Sequence, residues 1–353
     1  MLGIYNLIVS NKRVKFNLQI DRKITIIQGD SSTGKSYMVD RLADFVKLGE
    51  ENSGVQVITE FKKIHILSKD SSWESAMSNY RNYLMVIDED QPNLYTKEFA
   101  KMVNNSDNYF LIVARDPLKN LNYSVRSIYR FENTQLNLNG KLYTTTYSVN
   151  EYKDQLCELY NPKLVVEDSG MGYDFYDRTF PNKVISAEGN SNVETIVRRM
   201  SLTEDVCAIV DGAAFGCYIK NLCRFIDISP SNIVLLMPES FEGVILKSKF
   251  FENKLEVESI VNRTYDYCDS REYLSWEQFY TDKLTYFMKK YHKLNYSKSG
   301  DSECLEFFLN SPRTVLEAIE GFPMYLLNKN DEKENIKEPS SSVFKNSNIF
   351  GGR

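Results

Sequence analysis

Apolar and polar residues alternate in short runs along most of this chain, and the pattern predicts a mixed α/β fold. Residues 4–9 and 14–20 alternate apolar and polar side chains on either side of a polar turn, as the two strands of an antiparallel hairpin do. Residues 23–28 are apolar and β-branched, which indicates a buried strand. Residues 36–48 carry apolar side chains at helical spacing. We therefore expect the chain to begin with a hairpin, a strand and a helix.

The loop between this strand and this helix matches the Walker A pattern at every required position. It consists of Gly29, Asp30, Ser31, Ser32, Thr33, Gly34, Lys35 and Ser36. Glycines let successive backbone N–H groups curl around an anion, and the start of the helix adds a partial positive charge. In this pattern Lys35 reaches the β- and γ-phosphates and the Ser36 hydroxyl ligates Mg²⁺. The sequence predicts a site for ATP or GTP with Mg²⁺; the alternative is a glycine-containing loop that matches by chance.

The acidic strand end that accompanies a Walker A loop in P-loop NTPases is also found in this sequence. Residues 83–90 form an apolar run that ends in acids, and Asp88 lies 53 residues after Lys35. In P-loop NTPases an aspartate at this strand end holds Mg²⁺, and a glutamate after it can polarise the attacking water. We assign Asp88 to the metal and Glu89 to the general base. The alternative is a strand that simply ends in solvated acids.

A third apolar run, residues 109–114, ends at Arg115. A polar group at this position can contact the γ-phosphate of a bound nucleotide. An arginine at a strand end is more often an ordinary surface charge, so both interpretations of Arg115 stay open.

The hairpin, the Walker A loop and the acidic pair Asp88 and Glu89 together resemble the ATPases of the ABC and SMC type, including those joined to nucleases in the overcoming-lysogenisation family. The chain departs from that family between the two motifs. It has no LSGG-type signature, and the 53-residue spacing leaves no room for the usual helical insertion or coiled coil. The resemblance therefore implies a reduced P-loop core.

Composition is that of a soluble globular protein. The 353 residues suffice for two domains, and 42% of them are hydrophobic and 26% charged. No run of eighteen apolar residues and no leader pattern is present, so we expect no membrane partner and a cytoplasmic location. The six cysteines lack metal-site spacing and are expected to be reduced and buried. The net charge of −5 argues against a broad surface that coats nucleic acid.

Turn signals suggest where the chain divides. A P-loop ATPase domain is expected over residues 1–150. Its last three strands are expected at residues 125–131, 135–138 and 141–147 and should pair antiparallel. An Asn-Pro break then leads into a second α/β domain, with a helical C-terminal extension, over residues 161–327. Residues 328–353 have little to bury and are expected to form a disordered tail.

In the second domain, predicted strands are repeatedly followed by acids. Helical segments separate four such strands, at residues 164–166, 183–186, 206–210 and 233–237. Glu167, Asp211 and Glu239 each follow one of them, and the carboxyl ends of parallel strands meet at one edge of a sheet. Converging carboxylates repel one another unless a cation compensates. The sequence therefore predicts a site for Mg²⁺ or Mn²⁺, ligated by these three acids.

This arrangement resembles the Toprim domain of topoisomerases, primases and the nucleases of the overcoming-lysogenisation and related phage-defence families. Over roughly residues 163–255 the resemblance implies a catalytic glutamate at Glu167, a glycine-bearing turn at Gly189 and a catalytic aspartate at Asp211. The alternative is a flavodoxin-like or Rossmann-like domain whose strand ends carry unrelated acids.

The chain departs from the Toprim pattern at one position. Ala213 stands where that family has its second aspartate. Glu239 and Glu242 are the candidates to replace it. If neither does, the second domain has lost its metal site.

Two functions are consistent with these predictions. In the first, ATP binding or hydrolysis by residues 1–150 gates Mg²⁺-dependent cleavage of DNA or RNA at Glu167 and Asp211, in the mobile-element or phage-defence setting that the family resemblance implies. In the second, the chain is a nucleotide-dependent switch or scaffold whose inactive Toprim-like domain binds a protein partner. Ala213 favours the switch, and homo-oligomerisation is open in both.

Overall fold

Two β-sheets with helices packed against them make up the part of the chain that can be described. The computed structural model describes residues 2–29, 34–67, 69, 72–134, 137–142, 146–148, 159–299 and 302–327. Both parallel and antiparallel strand pairs occur, so the prediction of a mixed α/β fold is confirmed. The expected disordered tail, residues 328–353, and residues 149–158, where the domain boundary was expected, lie outside the described residues.

Nine described strands form the first sheet. In chain order they are β1 (Tyr5–Ser10), β2 (Lys15–Ile20), β3 (Ile24–Gln28), β4 (Gln56–Thr59), β5 (Ile64–Leu67), β6 (Leu84–Ile87), β7 (Tyr109–Ala114), β8 (Ile128–Thr134) and β9 (Asn137–Leu142). Their spatial order is β4-β1-β2-β9-β8-β3-β7-β6-β5. β1 and β2 pair antiparallel, with Tyr5 opposite Ile20, which confirms the predicted hairpin. β3 runs parallel to both of its neighbours, β7 and β8.

The helices of this half are α1 (Lys35–Ser53), α2 (Trp73–Asn79) and α3 (Lys97–Asn105). α1 buries Met38, Val39 and Leu42 against the sheet. The helical backbone is interrupted at Gly49, whose φ of 75° and ψ of 173° are not helical. This break comes one residue after the predicted end of the helix.

Five described strands form the second sheet: β10 (Thr146–Ser148), β11 (Lys163–Val166), β12 (Val184–Ser186), β13 (Val206–Ile209) and β14 (Ile233–Leu236). Their spatial order is β10-β14-β13-β11-β12, and β11 to β14 are mutually parallel, as predicted.

The assignment of the third finishing strand to the first sheet was wrong. Residues 146–148 instead pair antiparallel with β14, with Thr146 opposite Leu236. Only β8 and β9 finish the first sheet as an antiparallel pair. Local alternation identifies a strand but does not say which sheet edge will accept it.

The helices of the second half are α4 (Met171–Thr179), α5 (Asn190–Met200), α6 (Ile219–Ile228), α7 (Phe241–Lys247), α8 (Leu255–Asn262), α9 (Thr264–Tyr267), α10 (Trp276–Phe287), α11 (Ser302–Leu309) and α12 (Pro312–Leu316). Ser275 caps α10, since its hydroxyl accepts a hydrogen bond from the Gln278 N–H. After α12 the C-terminal extension continues largely in turns up to residue 324, and Gly321 in that segment has a φ of 77°.

One hydrophobic core runs through both halves of the molecule. Val125, three residues before β8, and Ile128, its first residue, belong to the same buried cluster as Ala208, Phe215 and Met237 of the second half. The five described cysteines are buried, as predicted, and Cys157 lies outside the described residues. Among the described helices, none is long and apolar enough to cross a membrane.

Candidate functional site

The predicted nucleotide site lies at the centre of the first sheet, where β3 ends and α1 begins. Asp30, Ser31, Ser32 and Thr33 lie outside the described residues, so the structure places only the two ends of the loop. Gly34 precedes α1 with a φ of 90°, a backbone conformation that favours glycine. Lys35 is 5% exposed, and its amine donates a hydrogen bond to the Gly29 carbonyl at 2.8 Å. The amine therefore lies across the mouth of the loop.

Asp88 lies at the carboxyl end of β6, two strands from β3. Its carboxyl group is half-buried, and this desolvation raises the pKa of Asp88. The N–H of Glu89, which donates to Asp88 Oδ1 at 2.8 Å, lowers that pKa, while the charges of Glu89, Asp90 and Asp40 raise it. Asp40 belongs to α1, so the helix after the loop contributes to the negative charge around Asp88. A cation bound beside Asp88 would compensate the negative charge of these acids.

Glu89 and Arg115 form an ion pair at the ends of two adjacent strands, β6 and β7. Arg115 Nη2 lies 2.6 Å from Glu89 Oε1, and Arg115 Nε lies 2.9 Å from each carboxylate oxygen. The predicted general base and the candidate γ-phosphate contact are therefore neighbours. The Arg115 carbonyl also accepts a hydrogen bond from Lys220 of α6, so this edge of the first sheet touches the second half.

The structure brings Glu167 and Asp211 together. Glu167 follows β11 and Asp211 follows β13, and Glu167 Oε2 accepts a hydrogen bond from the Asp211 N–H at 2.9 Å. Desolvation raises the pKa of Glu167 to about 7, and the charges of Glu277 and Asp168 act in the same direction. Desolvation and the charge of Glu167 raise the pKa of Asp211 well above its usual value. The two acids therefore lie in a site that disfavours two negative charges.

Glu239 does not share this arrangement, which differs from the prediction. Its two carboxylate oxygens accept hydrogen bonds from Arg22 at 2.6 and 3.0 Å, and Ser124 donates to Oε1 at 3.2 Å. Arg22 and Glu239 are both buried. A buried guanidinium is costly unless a carboxylate pairs with it. Glu239 is therefore directed to the first sheet, where it neutralises Arg22.

Glu242 takes the position beside Asp211 that Glu239 was expected to fill. It is 1% exposed in the first turn of α7, and its charge helps to raise the pKa of Asp211. Tyr296 donates a hydrogen bond to Glu242 Oε1 at 3.0 Å. Among the described residues, none supplies a hydrogen bond to the buried Oε2 atom of Glu242.

Three further members of this acidic cluster come from the C-terminal segment and were not predicted. They are Glu277, Tyr296 and Lys298. Lys298 is ion-paired with Glu277, and its amine lies 4.0 Å from Glu242 Oε1. Burial opposes the charge on the Lys298 amine, but Glu242 and Glu277 outweigh it and raise the pKa of that amine. No local pattern could have identified these residues, because each is an ordinary polar position in its own segment.

The cluster has the donor chemistry of a hard-cation site, but its charge is already partly compensated. Carboxylate oxygens of Glu167, Asp211 and Glu242 suit Mg²⁺ or Mn²⁺, and the unpartnered Glu242 oxygen is available to a ligand. Across the described ranges, however, no three His, Cys, Asp or Glu side chains are grouped so that they could hold one metal ion. In this arrangement Lys298 supplies the nearby positive charge.

Two backbone features of the Toprim resemblance have clear positions. Gly189 follows β12 with a φ of 118°, and its N–H donates to the Glu167 carbonyl at 3.0 Å. Ala213 is 3% exposed and lines a cavity of about 30 Å³ together with Arg22 and Ser124. The position that departs from the family pattern therefore lies beside the Arg22–Glu239 pair.

Comparison with known proteins gives no family to which the chain can be assigned. The sequence matches no protein-family model and no curated protein. Function must accordingly be argued from the two sites themselves.

Proposed function

We propose that this protein binds ATP or GTP with Mg²⁺ at the loop between β3 and α1 and hydrolyses it. The observation that carries the proposal is the position of Lys35, buried in the first turn of α1 with its amine 2.8 Å from the Gly29 carbonyl across the loop. An amine held there can exchange the carbonyl for the β- and γ-phosphates of a nucleotide.

The other residues of this site have distinct roles in the proposal. Ser36 and Asp88 would hold the metal, which neutralises charge on the phosphates when bound. Glu89 accepts a proton from the attacking water. Arg115 holds the Glu89 carboxylate in place before the nucleotide arrives, and a γ-phosphate offers Arg115 a second anionic partner. Movement of Arg115 from one partner to the other would release Glu89 for catalysis.

Isothermal titration of the protein with ATP and GTP in the presence of Mg²⁺ tests the nucleotide site. Lys35→Ala should abolish measurable binding, because it removes the charge that faces the phosphates. Lys47→Ala is the matched control, since Lys47 is an exposed lysine on the same helix. Unchanged affinity in the Lys35→Ala protein would reject the assignment.

A second activity is supported by the acidic cluster of Glu167, Asp211 and Glu242. The three acids are not grouped around one point among the described residues. We propose that a divalent cation draws their carboxylates together, with Lys298 displaced toward Glu277, and supports cleavage of phosphodiester bonds in a nucleic acid. Raised pKa values for Glu167, Asp211 and Glu242, each with desolvation as the largest cause, support a site that gains from an added positive charge. Nucleotide binding by the first half would then gate this Toprim-like centre.

Incubation with plasmid DNA and with tRNA, with and without ATP and with Mg²⁺ or Mn²⁺, tests this activity. Metal-dependent cleavage that Asp211→Asn eliminates would support it, because that aspartate would hold the metal. Nucleotide binding without cleavage under any of these conditions would favour the switch or scaffold, in which Ala213 and Lys298 mark a cluster that no longer binds metal.

A further inference from the structure

Beside the nucleotide loop, Tyr37 presents an aromatic ring that neither proposed reaction uses. It is the third residue of α1 and is 37% exposed. A large aromatic side chain with this exposed fraction is either part of a binding surface or a single exposed residue without a function. Tyr37 differs from a scattered residue because three separate contacts fix its ring.

The contacts involve the hydroxyl, the ring face under Arg41 and the neighbouring ring of Phe16. The Asn11 amide donates a hydrogen bond to the Tyr37 hydroxyl at 2.9 Å. The Arg41 guanidinium carbon lies 4.9 Å from the ring centroid, and the Phe16 ring lies 6.3 Å away. Asn11 is itself fixed, since its Oδ1 accepts hydrogen bonds from the backbone N–H groups of Arg13 and Val14. The hairpin turn therefore holds the tyrosine in place.

The position of Tyr37 along α1 relates it to one end of a bound nucleotide. Lys35 and Ser36 serve the β- and γ-phosphates and the metal, so the nucleoside end must lie away from them. Successive side chains on an α-helix rotate by about 100°, so Tyr37 points about 200° around the axis from Lys35. Its ring thus lies on another side of the helix from Lys35, next to the hairpin turn.

We propose that the ring of Tyr37 is the platform on which the purine base of the bound nucleotide stacks. The proposal rests on the nucleotide site proposed above. Every base has a π-face, so an aromatic platform adds affinity without reading the base edge, and the cation of Arg41 strengthens the ring as a partner. The site would accordingly take both ATP and GTP.

The experiment compares two probes that share the phosphate chain but differ in the base. ATP and inorganic tripolyphosphate are titrated, with Mg²⁺, into the wild-type protein and into the Tyr37→Ala and Tyr37→Phe variants. Tyr37→Ala should weaken ATP binding roughly 5- to 100-fold and leave tripolyphosphate affinity unchanged. Tyr37→Phe should keep the affinity for ATP, because it retains the stacking face. Tyr286→Ala is the matched control, since Tyr286 is exposed on α10 with Lys290 Nζ 5.4 Å from its ring.

Each contrary result has its own meaning. Full ATP affinity in the Tyr37→Ala protein would overturn the stacking role. Equal losses for ATP and tripolyphosphate would also overturn it, because the ring would then act by supporting the loop. A wild-type protein that binds neither probe would reject the nucleotide site, and the inference with it. Thermal unfolding of each variant shows whether it is folded. If Tyr37→Ala is unfolded, the ATP affinity of Tyr37→Phe tests the stacking role, and a loss of that affinity would overturn it.

Discussion

Arg22 and Glu239 form a buried ion pair that joins the two halves of the molecule. The guanidinium donates to both carboxylate oxygens, at 2.6 and 3.0 Å, and its carbon lies 3.7 Å from the centroid of the Trp276 ring. Arg22 lies two residues before β3, which leads into the proposed nucleotide loop, and Glu239 lies three residues before Glu242 of the acidic cluster. This contact therefore links the segment that leads into the proposed nucleotide loop to the segment that carries Glu242.

Removing one partner of this pair should destabilise the fold strongly. Arg22→Met removes both guanidinium hydrogen bonds from the buried Glu239 carboxylate and leaves Arg126, with its Nε 3.9 Å from Oε2, as a more distant cation. Breaking a buried pair in this way costs about 3–5 kcal/mol. Urea denaturation would measure the loss in the free energy of unfolding. The double variant Arg22→Met, Glu239→Leu should recover most of it, because no buried charge is left alone. A single variant as stable as the wild type would contradict the structural role assigned to the pair.

Stability should fall as the pH rises from about 4.5 to about 7. Desolvation raises the pKa of Glu167 to about 7, above its ordinary value, so the folded protein keeps a proton in this range that the unfolded chain has lost. The resulting stabilisation is complete below the ordinary pKa and is lost as the pH passes the raised one. Glu167→Gln cannot ionise and should therefore melt at a higher temperature than the wild type at about pH 8, with a smaller difference at about pH 5. If Glu167→Gln and the wild type have equal melting temperatures at both pH values, Glu167 is not a buried, uncompensated acid.

Glu89→Gln should separate nucleotide binding from hydrolysis. The amide keeps the size of the side chain but cannot accept the proton of the attacking water, so turnover should fall by about 100-fold or more. Binding of ATP by calorimetry should be unchanged. Asp90→Asn is the control, since Asp90 is the exposed acid next in sequence. Hydrolysis that is unaffected by Glu89→Gln would mean that Glu89 is not the base.

Lys298→Met should make the acidic cluster more dependent on metal. The substitution removes the cation that pairs with Glu277 and lies 4.0 Å from Glu242, so the remaining carboxylates repel one another. We expect a lower melting temperature without metal and a larger increase on addition of Mn²⁺ than the wild type shows. Adding Asp211→Asn should remove that increase. If Mn²⁺ affects none of these proteins, the cluster is not a metal site.

The strands around the proposed nucleotide site were predictable because their signals are local. The apolar runs that become β3, β6 and β7 and the acids that end β6 lie within short, continuous segments, and the strands formed close to the predicted bounds. Glu167 and Asp211 could be paired for a similar reason, since the carboxyl ends of parallel strands meet at one edge.

Other features were decided only when distant segments came together. Arg22 and Glu239 are 217 positions apart, and nothing in either segment indicates that burial will force the guanidinium to take that carboxylate rather than leave it to a metal. Lys298 and Glu277 reach the acidic cluster because the C-terminal segment packs over the second sheet. β10 likewise joined the second sheet because the edge of β14 accepted it. The sequence by itself determined most of the strands, the Walker A pattern between β3 and α1 and which acids end the strands. The tertiary structure alone decided which charges neutralise one another, because that depends on which groups are buried side by side.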